Sequence, residues 1–336
     1  MSPKILTISI ASYNAEKDIS KCLDSFVASN VLDKLDIIVV NDGSSDNTSK
    51  IAHDYAGKYP SIKVIDKLNG GHGSTINSGI IGAVGKYFRI VDSDDWVDPI
   101  ELQKFVNYLE NCNADVVFTP YQTVDSLDKS IIETYDNFHC DVSNNVETDI
   151  DHIDERTALA MHAMTFKTSC IQKIGPIIDE HCFYVDTEYC IYPLVFAKSF
   201  IFIDCNVYKY SIGSQNQSVS IKNLIKRRNE HVRVVKSLCQ YYIKNRMSVH
   251  KNVRSLIYRY LKNLISFQMF LYIVSNSREA KHELIDFDRY LRTVELSPFL
   301  CLNSLKIKFG YLFLKLTKFK FYSLLSALYL TLSSKN

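Results

Sequence analysis

Cysteine is present without the spacing that would give it a structural role. The nine cysteines, an odd number, include no Cys-x-x-Cys pair, which excludes a disulfide framework and a zinc module and fits a reducing cytosol. Charge of one sign is also missing: a net +2 over 336 residues gives no general case for a nucleic-acid partner. Met1-Ser2-Pro3-Lys4 runs straight into a strand-like segment with no charged-then-apolar leader. A cytoplasmic protein is therefore expected, and the sequons at Asn47 and Asn216 read as chance matches. Lysines interrupt every apolar window of about 20 residues near the end of the chain, which argues against a spanning helix and against a processive synthase with a membrane conduit. Glycine numbers only 11 and is almost absent after Ile221. What remains is an ordinary globular composition, 46% hydrophobic and 23% charged, in a chain long enough for one large domain or a domain with an extension.

Strand-like apolar runs at 5–10, 35–40, 62–65 and 86–91 alternate with helical patterns at 15–30, at 51–59 and from about Ser74. This is the rhythm of an α/β protein with a Rossmann-like, mostly parallel sheet flanked by helices. Such sheets bind ligands beyond the carboxyl ends of their strands, where three polar loops lie, at Tyr13, Asp42 and Asp92. The third loop, Asp92-Ser93-Asp94-Asp95-Trp96, ends an apolar run in three carboxylates. If the chain stays extended, Asp92 and Asp94 project to one side and suit an oxygen-seeking cation such as magnesium or manganese. The plainer alternative is a solvated acidic turn in which Asp95 or Asp98 caps a helix starting near Pro99. Between the third and fourth strands, Asn69-Gly70-Gly71-His72-Gly73-Ser74 lets backbone N–H groups approach a phosphate at a helix start; His72 itself reads as a surface residue. A helix is expected over 99–111 and strands over 114–119 and 200–203, with a polar, aperiodic excursion over 121–155 that suits an acceptor-side loop.

The ordered set Ser9-x-x-x-Tyr13-Asn14, Val39-Val40-Asn41-Asp42-Gly43-Ser44-Ser45-Asp46-Asn47-Thr48, Asn69-Gly70-Gly71 with Asn77-x-Gly79, and Val91-Asp92-Ser93-Asp94-Asp95-Trp96 resembles family 2 glycosyltransferases. These are inverting enzymes of the GT-A nucleotide-sugar fold. The resemblance implies a donor site drawn from Ser9, Tyr13, Asn14, Asp42, Asn69, Gly71, Asn77, Asp92 and Ser93. Within it Tyr13 would lie on the nucleobase, Asp42 would accept from its imide N–H and Asp92 would touch the ribose, while Asp94 with Asp92 would hold Mn2+ or Mg2+ against the diphosphate of a UDP-sugar. Two departures stand out: Ala11-Ser12 replaces the usual Pro-Val, and Ile76 stands where many members carry an arginine. By position Asp186 aligns with the family's base, although Val185 replaces the acid before it; Glu188 is the fallback, and either also suits a helix start. Lys209 is a phosphate-partner candidate or an exposed lysine, and 217–220 resembles the family's closing loop. The implied reaction moves one sugar to a hydroxyl of a cell-surface glycan, a lipid-linked sugar or a glycoprotein. The alternative is a non-catalytic nucleotide-sugar-binding subunit.

The catalytic domain is expected over 1–220, followed by a helical region over 221–336. After Glu295 no acidic residue occurs, while Lys306, Lys308, Lys315, Lys318 and Lys320 punctuate an apolar background. Leu305, Phe309, Leu312, Leu316 and Phe319 share one helical face and Lys308, Lys315 and Lys318 another. Such a helix suits the inner leaflet of a membrane, or else its own domain or a second copy in a homo-oligomer.

Overall fold

Two apolar runs form the middle of the parallel half of the main sheet. β1 (Leu6–Ser12) is buried except at Ala11, and β2 (Leu35–Asn41) is buried at every position, as expected of strands covered on both faces. The computed structural model describes residues 3–136, 143–213 and 221–333, and the chain divides into two compact units, Met1–Gln217 with Val249–Val253 and Ser218–Ser248 with Arg254–Asn336.

In the first unit β1 pairs in parallel with β2 on one side and β4 (Tyr87–Asp92) on the other. β3 (Ile62–Asp66) continues beyond β2, also in parallel. Crossovers are made by α1 (Ile19–Val27), α2 (Thr48–Lys58) and α3 (His72–Gly82). α1 is shorter than the 15–30 pattern and buries Ile19, Cys22, Leu23 and Phe26, each side chain stabilising by roughly 1.5–3 kcal/mol. After β5 (Trp96–Val97) comes α4 (Pro99–Asn111). Asp98 caps it, Oδ1 accepting from Ile100 N at 3.0 Å and Glu101 N at 3.1 Å, with Pro99 preset for the first turn.

The excursion after Tyr121 is more regular than its sequence suggests. β6 (Val116–Phe118) is followed by a hairpin of β7 (Tyr121–Asp125) and β8 (Ile131–Tyr135). β8 is exposed at four of its five positions, so no buried alternation marks it; ladder pairing and the Tyr121–Tyr135 stack at 4.9 Å hold it. β9 (Thr148–Asp149), β10 (Met164–Lys167), the short α5 (Thr168–Ile171), α6 (Asp186–Ile191), β11 (Ser199–Phe202) and β12 (Tyr208–Ile212) complete the unit. The main sheet runs β3-β2-β1-β4-β10-β6-β11-β9 and a second one β5-β12-β7-β8. β10 is antiparallel to both β4 and β6. At that seam Arg89 is fully buried. Its Nη1 donates to Thr119 Oγ1 and Thr165 Oγ1, both at 3.2 Å, and Nη2 donates to the His162 carbonyl.

The second unit carries α7 (Ile221–Lys226), α8 (Arg228–Asn245), α9 (Lys251–Val274), α10 (Arg278–Thr293), α11 (Pro298–Cys301), α12 (Leu305–Leu316) and α13 (Tyr322–Ser333). The single amphipathic helix read through Phe319 is two helices: Lys318 and Phe319 have φ of +50° and +58°, which ends α12, and Phe319 is buried. Gly310, Tyr311 and Leu314 are the buried positions of α12. Lys315 is bonded to Asp288 at 2.7 Å, so it does not belong to a free cationic face. The stripe at Leu305, Phe309, Leu312 and Leu316 is exposed, at 69%, 70%, 42% and 77%. No helix among the described residues is long and apolar enough to cross a membrane. The eight described cysteines are buried free thiols.

Candidate active site

The carboxyl ends of β1, β2 and β4 are joined loop to loop. Asp42 N donates to Ser12 O at 2.9 Å, and Ser93 N to Ala11 O at 3.2 Å. Asn14, with φ +49°, takes the left-handed conformation that asparagine tolerates. Its Oδ1 accepts from Ser45 N at 2.8 Å while its own N donates to Ser44 Oγ at 3.0 Å, so it clasps the first two loops together. Tyr13 stands beside this clasp, 56% exposed.

Asp42 is buried and densely bonded. Oδ1 accepts from Lys67 Nζ at 2.9 Å, Gly70 N at 2.9 Å and Ser74 Oγ at 3.2 Å, and Oδ2 accepts from Gly71 N at 2.8 Å. Asn69 Nδ2 donates to the Asp42 carbonyl at 3.0 Å. A carboxylate offers about four acceptor positions, which leaves Oδ2 the freer oxygen for a further donor such as an imide N–H. Gly71 has φ +79°, and a Cβ there would come within 3.2 Å of His181 Cα, so the loop needs glycine on both counts. Lys67 escaped the sequence reading; it lies outside the motif, and only the fold brings it under Asp42.

The β4 end is different in kind. Asp95 is buried, with Oδ2 accepting from Tyr208 OH at 2.6 Å and Oδ1 from Ser211 N at 2.8 Å; burial, then Asp92 and Asp94, push its carboxyl well up. Asp94 reaches the surface, yet loss of water around its carboxyl, followed by repulsion from Asp92, raises it to about 6. Asp92 goes the other way: burial opposes ionisation, but the His72 imidazole holds it below the usual range.

His72 is the first residue of α3 and is not the surface residue its sequence suggested. Its Nε2 lies 3.2 Å from Asp92 Oδ1. Burial disfavours its charge, yet Asp92, then Asp186 and Asp94, raise it above the ordinary histidine value. Asp186 opens α6 and belongs to the same electrostatic group. Its carboxyl is raised first by burial and further by Asp92, with His72 acting against both. His162, unmarked by any motif, also enters this site. Burial lowers it to about 4, with Arg89 adding to that and Asp92 opposing it, so the ring is neutral near pH 7. Asp92, Asp95 and His162 each present one ligand atom, all within 4.8 Å of one another. Two carboxylates and a neutral imidazole form a donor set suited to a divalent cation, and the residues fit the expected metal.

Other expected site residues are engaged elsewhere. Ser9 is buried in the sheet beneath α3, where a Cβ at Gly79 would meet its Oγ at 2.0 Å. Asn77 grips the backbone of Ile178, donating to its O at 2.9 Å and accepting from its N at 3.2 Å. Glu188 is fully buried; Oε1 accepts from Tyr192 OH at 2.9 Å and Oε2 from Asp179 N at 2.8 Å, and burial raises it to about 8. Lys209 is neither exposed nor free: it donates to Gln122 Oε1 and lies 3.8 Å from Asp98 Oδ2. The 217–220 segment lies outside the described residues.

Residues 7–162, from the second residue of β1 to the buried imidazole, match the profile of Glycosyl transferase family 2. Residues 7–162 form a family 2 glycosyltransferase domain. Among relatives, the glycosyltransferase EpsJ of Bacillus subtilis is 38% identical over 113 residues, 34% of this chain and 33% of EpsJ. Chondroitin synthase of Pasteurella multocida is 32% identical over 121 residues, 36% of this chain and 12% of that protein. The matched region is thus about a third of EpsJ or less of each relative's length. S. aureus TarS 1-349, crystallised in complex with UDP-GlcNAc, has the same fold, with a TM-score of 0.68 over 97% of this chain and 92% of that one at 15% identity. The expected GT-A architecture, a sheet flanked by helices and followed by a helical region, is borne out.

Proposed function

We propose that this chain is an inverting, metal-dependent transferase that moves a single sugar from a UDP-sugar to a hydroxyl of a cell-surface glycan, a lipid-linked sugar or a glycoprotein. The observation that carries the reading is the gathering of Asp92, His72 and Asp186 into one electrostatic group at the mouth of β4. Asp186 takes the proton of the acceptor hydroxyl as that oxygen attacks the anomeric carbon, and the bond to the diphosphate oxygen breaks on the opposite face. Burial, then Asp92, raises its carboxyl above the ordinary aspartate value, which makes it a stronger base than a free aspartate. Glu188, with both oxygens already bonded, serves the scaffold. A divalent cation held by Asp92 and Asp95, with Asp94 close beside them, would neutralise the charge gathering on the leaving diphosphate. Asp42 and Tyr13 hold the base, and the UDP-GlcNAc bound to TarS supports a uridine donor.

The test is a panel of nucleotide sugars scored for manganese-stimulated release of nucleoside diphosphate. One donor should stand out, and Asp186→Asn should keep nucleotide binding while losing transfer by at least about a thousandfold. Nucleotide binding without release from any donor would instead favour the non-catalytic subunit.

The second unit is proposed to lie on the anionic cytoplasmic face of a membrane. Its support is the exposed stripe of α12 with Phe321, Leu324 and Leu328 of the following segment, all at least half exposed, bordered by Lys306, Lys318 and Lys320 without a single acid beyond Glu295. Flotation with anionic vesicles should carry the protein, and Phe309→Glu with Leu316→Glu should release it. Flotation unchanged by this pair, or concentration-dependent self-association in place of flotation, would refute the lipid reading.

A further inference from the structure

We infer that the imidazole of His162 is a direct ligand of the cation held by Asp92 and Asp95, and that this nitrogen tilts the site toward manganese over magnesium. The inference rests on the metal-dependent reading above and deepens it, because the motif points only to carboxylates.

The ring is held for such a task. It stacks on Tyr210 with centroids 4.3 Å apart and 28° between planes, and packs against Tyr208 at 4.8 Å and Tyr121 at 5.2 Å. Arg89, itself fully buried, grips the carbonyl of the same residue. An imidazole fixed from three sides by aromatic rings and from below by its own backbone has few other orientations to adopt.

Its nitrogens are not consumed by this packing. Among the described residues neither has a hydrogen-bond partner, whereas the buried His231 has Nδ1 2.6 Å from Gln268 Oε1. The residue is half-buried, so its ring can meet a partner from outside the chain. The distances agree. Ligands about 2.0–2.2 Å from an ion lie roughly 3 to 4.3 Å from one another, and the three atoms here are within 4.8 Å. Closing onto an ion takes adjustments of well under an ångström or so. Asp95 keeps capacity for it, since each of its oxygens accepts one bond and has a second lone pair. Magnesium prefers an all-oxygen octahedron and sheds water reluctantly, whereas softer divalent ions accept imidazole.

The test uses the full chain with UDP and Mn2+, examined by electron spin echo modulation for coupling of the metal to 14N. Wild type should show histidine nitrogen coupling and His162→Gln should lose it. Manganese affinity should fall about tenfold or more, while magnesium affinity changes less than about threefold. His72→Gln should keep the coupling; loss of the coupling there, or its persistence in His162→Gln, would assign the nitrogen to another residue and overturn the inference. Should His162→Gln fail to fold, the wild-type and His72→Gln spectra still decide. Manganese bound without nitrogen coupling refutes this inference alone, whereas no manganese binding at all removes the metal reading together with it.

Discussion

The strand ends at Asp42 and at Asp92–Asp95 are both acidic and lie on neighbouring parts of one sheet, but their charges are handled in opposite ways. Asp42 receives four bonds from Lys67, Gly70, Gly71 and Ser74, and the carboxylate organises the glycine loop around itself. At the other end, burial and then the crowding of three carboxylates push the Asp94 and Asp95 carboxyls up, with one histidine 3.2 Å from Asp92 as the only ion pair found there among the described residues. Asp42 is thereby fixed in place, with Oδ2, which accepts only one of these bonds, left as the freer oxygen. The crowded carboxylates at β4 suit a cation, which would relieve the repulsion between like charges.

Exchanging single oxygens for nitrogens at the two ends should separate these roles. Asp94→Asn is expected to lower metal-stimulated turnover by about a thousandfold or more while the urea midpoint stays equal to or above that of wild type. Asp42→Asn should do the reverse in stability, losing on the order of 2–4 kcal/mol because Lys67 keeps its charge and a loop N–H loses its acceptor. Equal midpoints for both variants would erase the distinction.

A smaller effect sharpens the comparison at a third carboxyl. Glu188 is bonded like Asp42, yet by a hydroxyl and one amide and with no cation, and burial lifts it from 4.5 to about 8. The folded state therefore holds this proton more tightly than the unfolded chain does. Its contribution is complete below about pH 4.5 and is lost as pH rises through about 8, roughly 5 kcal/mol in all. Urea unfolding between pH 5 and pH 9 should show this decline in wild type, and Glu188→Gln should flatten it. A slope that survives the substitution would assign the decline to other groups.

The parallel half of the sheet was legible because strands buried on both faces are written as unbroken apolar runs, as at Ile37-Ile38-Val39-Val40, and because their polar loops fall at the carboxyl ends. Helix α4 was legible to its first residue through Asp98-Pro99. The antiparallel seam was not: β10 is four residues long, and only its pairing with distant strands makes it one. Position in a motif also proved a poor guide to what a side chain touches. Asn77 and Ser9 belong to the quoted pattern but hold the frame, whereas His72 and His162 reach Asp92 without any signature beyond, for His72, a place directly after two glycines. Lys67 illustrates the same limit, since its partner Asp42 lies 25 positions away.

Arg89 carries a consequence beyond stapling the two halves of the sheet. Its guanidinium meets neutral oxygens and the faces of Phe105 and Tyr208, and no carboxylate is among those contacts. A permanent cation without a counter-ion among the described residues thus sits behind His162, and a second positive charge on that ring would be repelled by it. Burial, the larger cause, and this repulsion together outweigh the pull of Asp92 and keep a lone pair on offer near neutral pH, so mild acidification of the surroundings does not close that corner of the cleft.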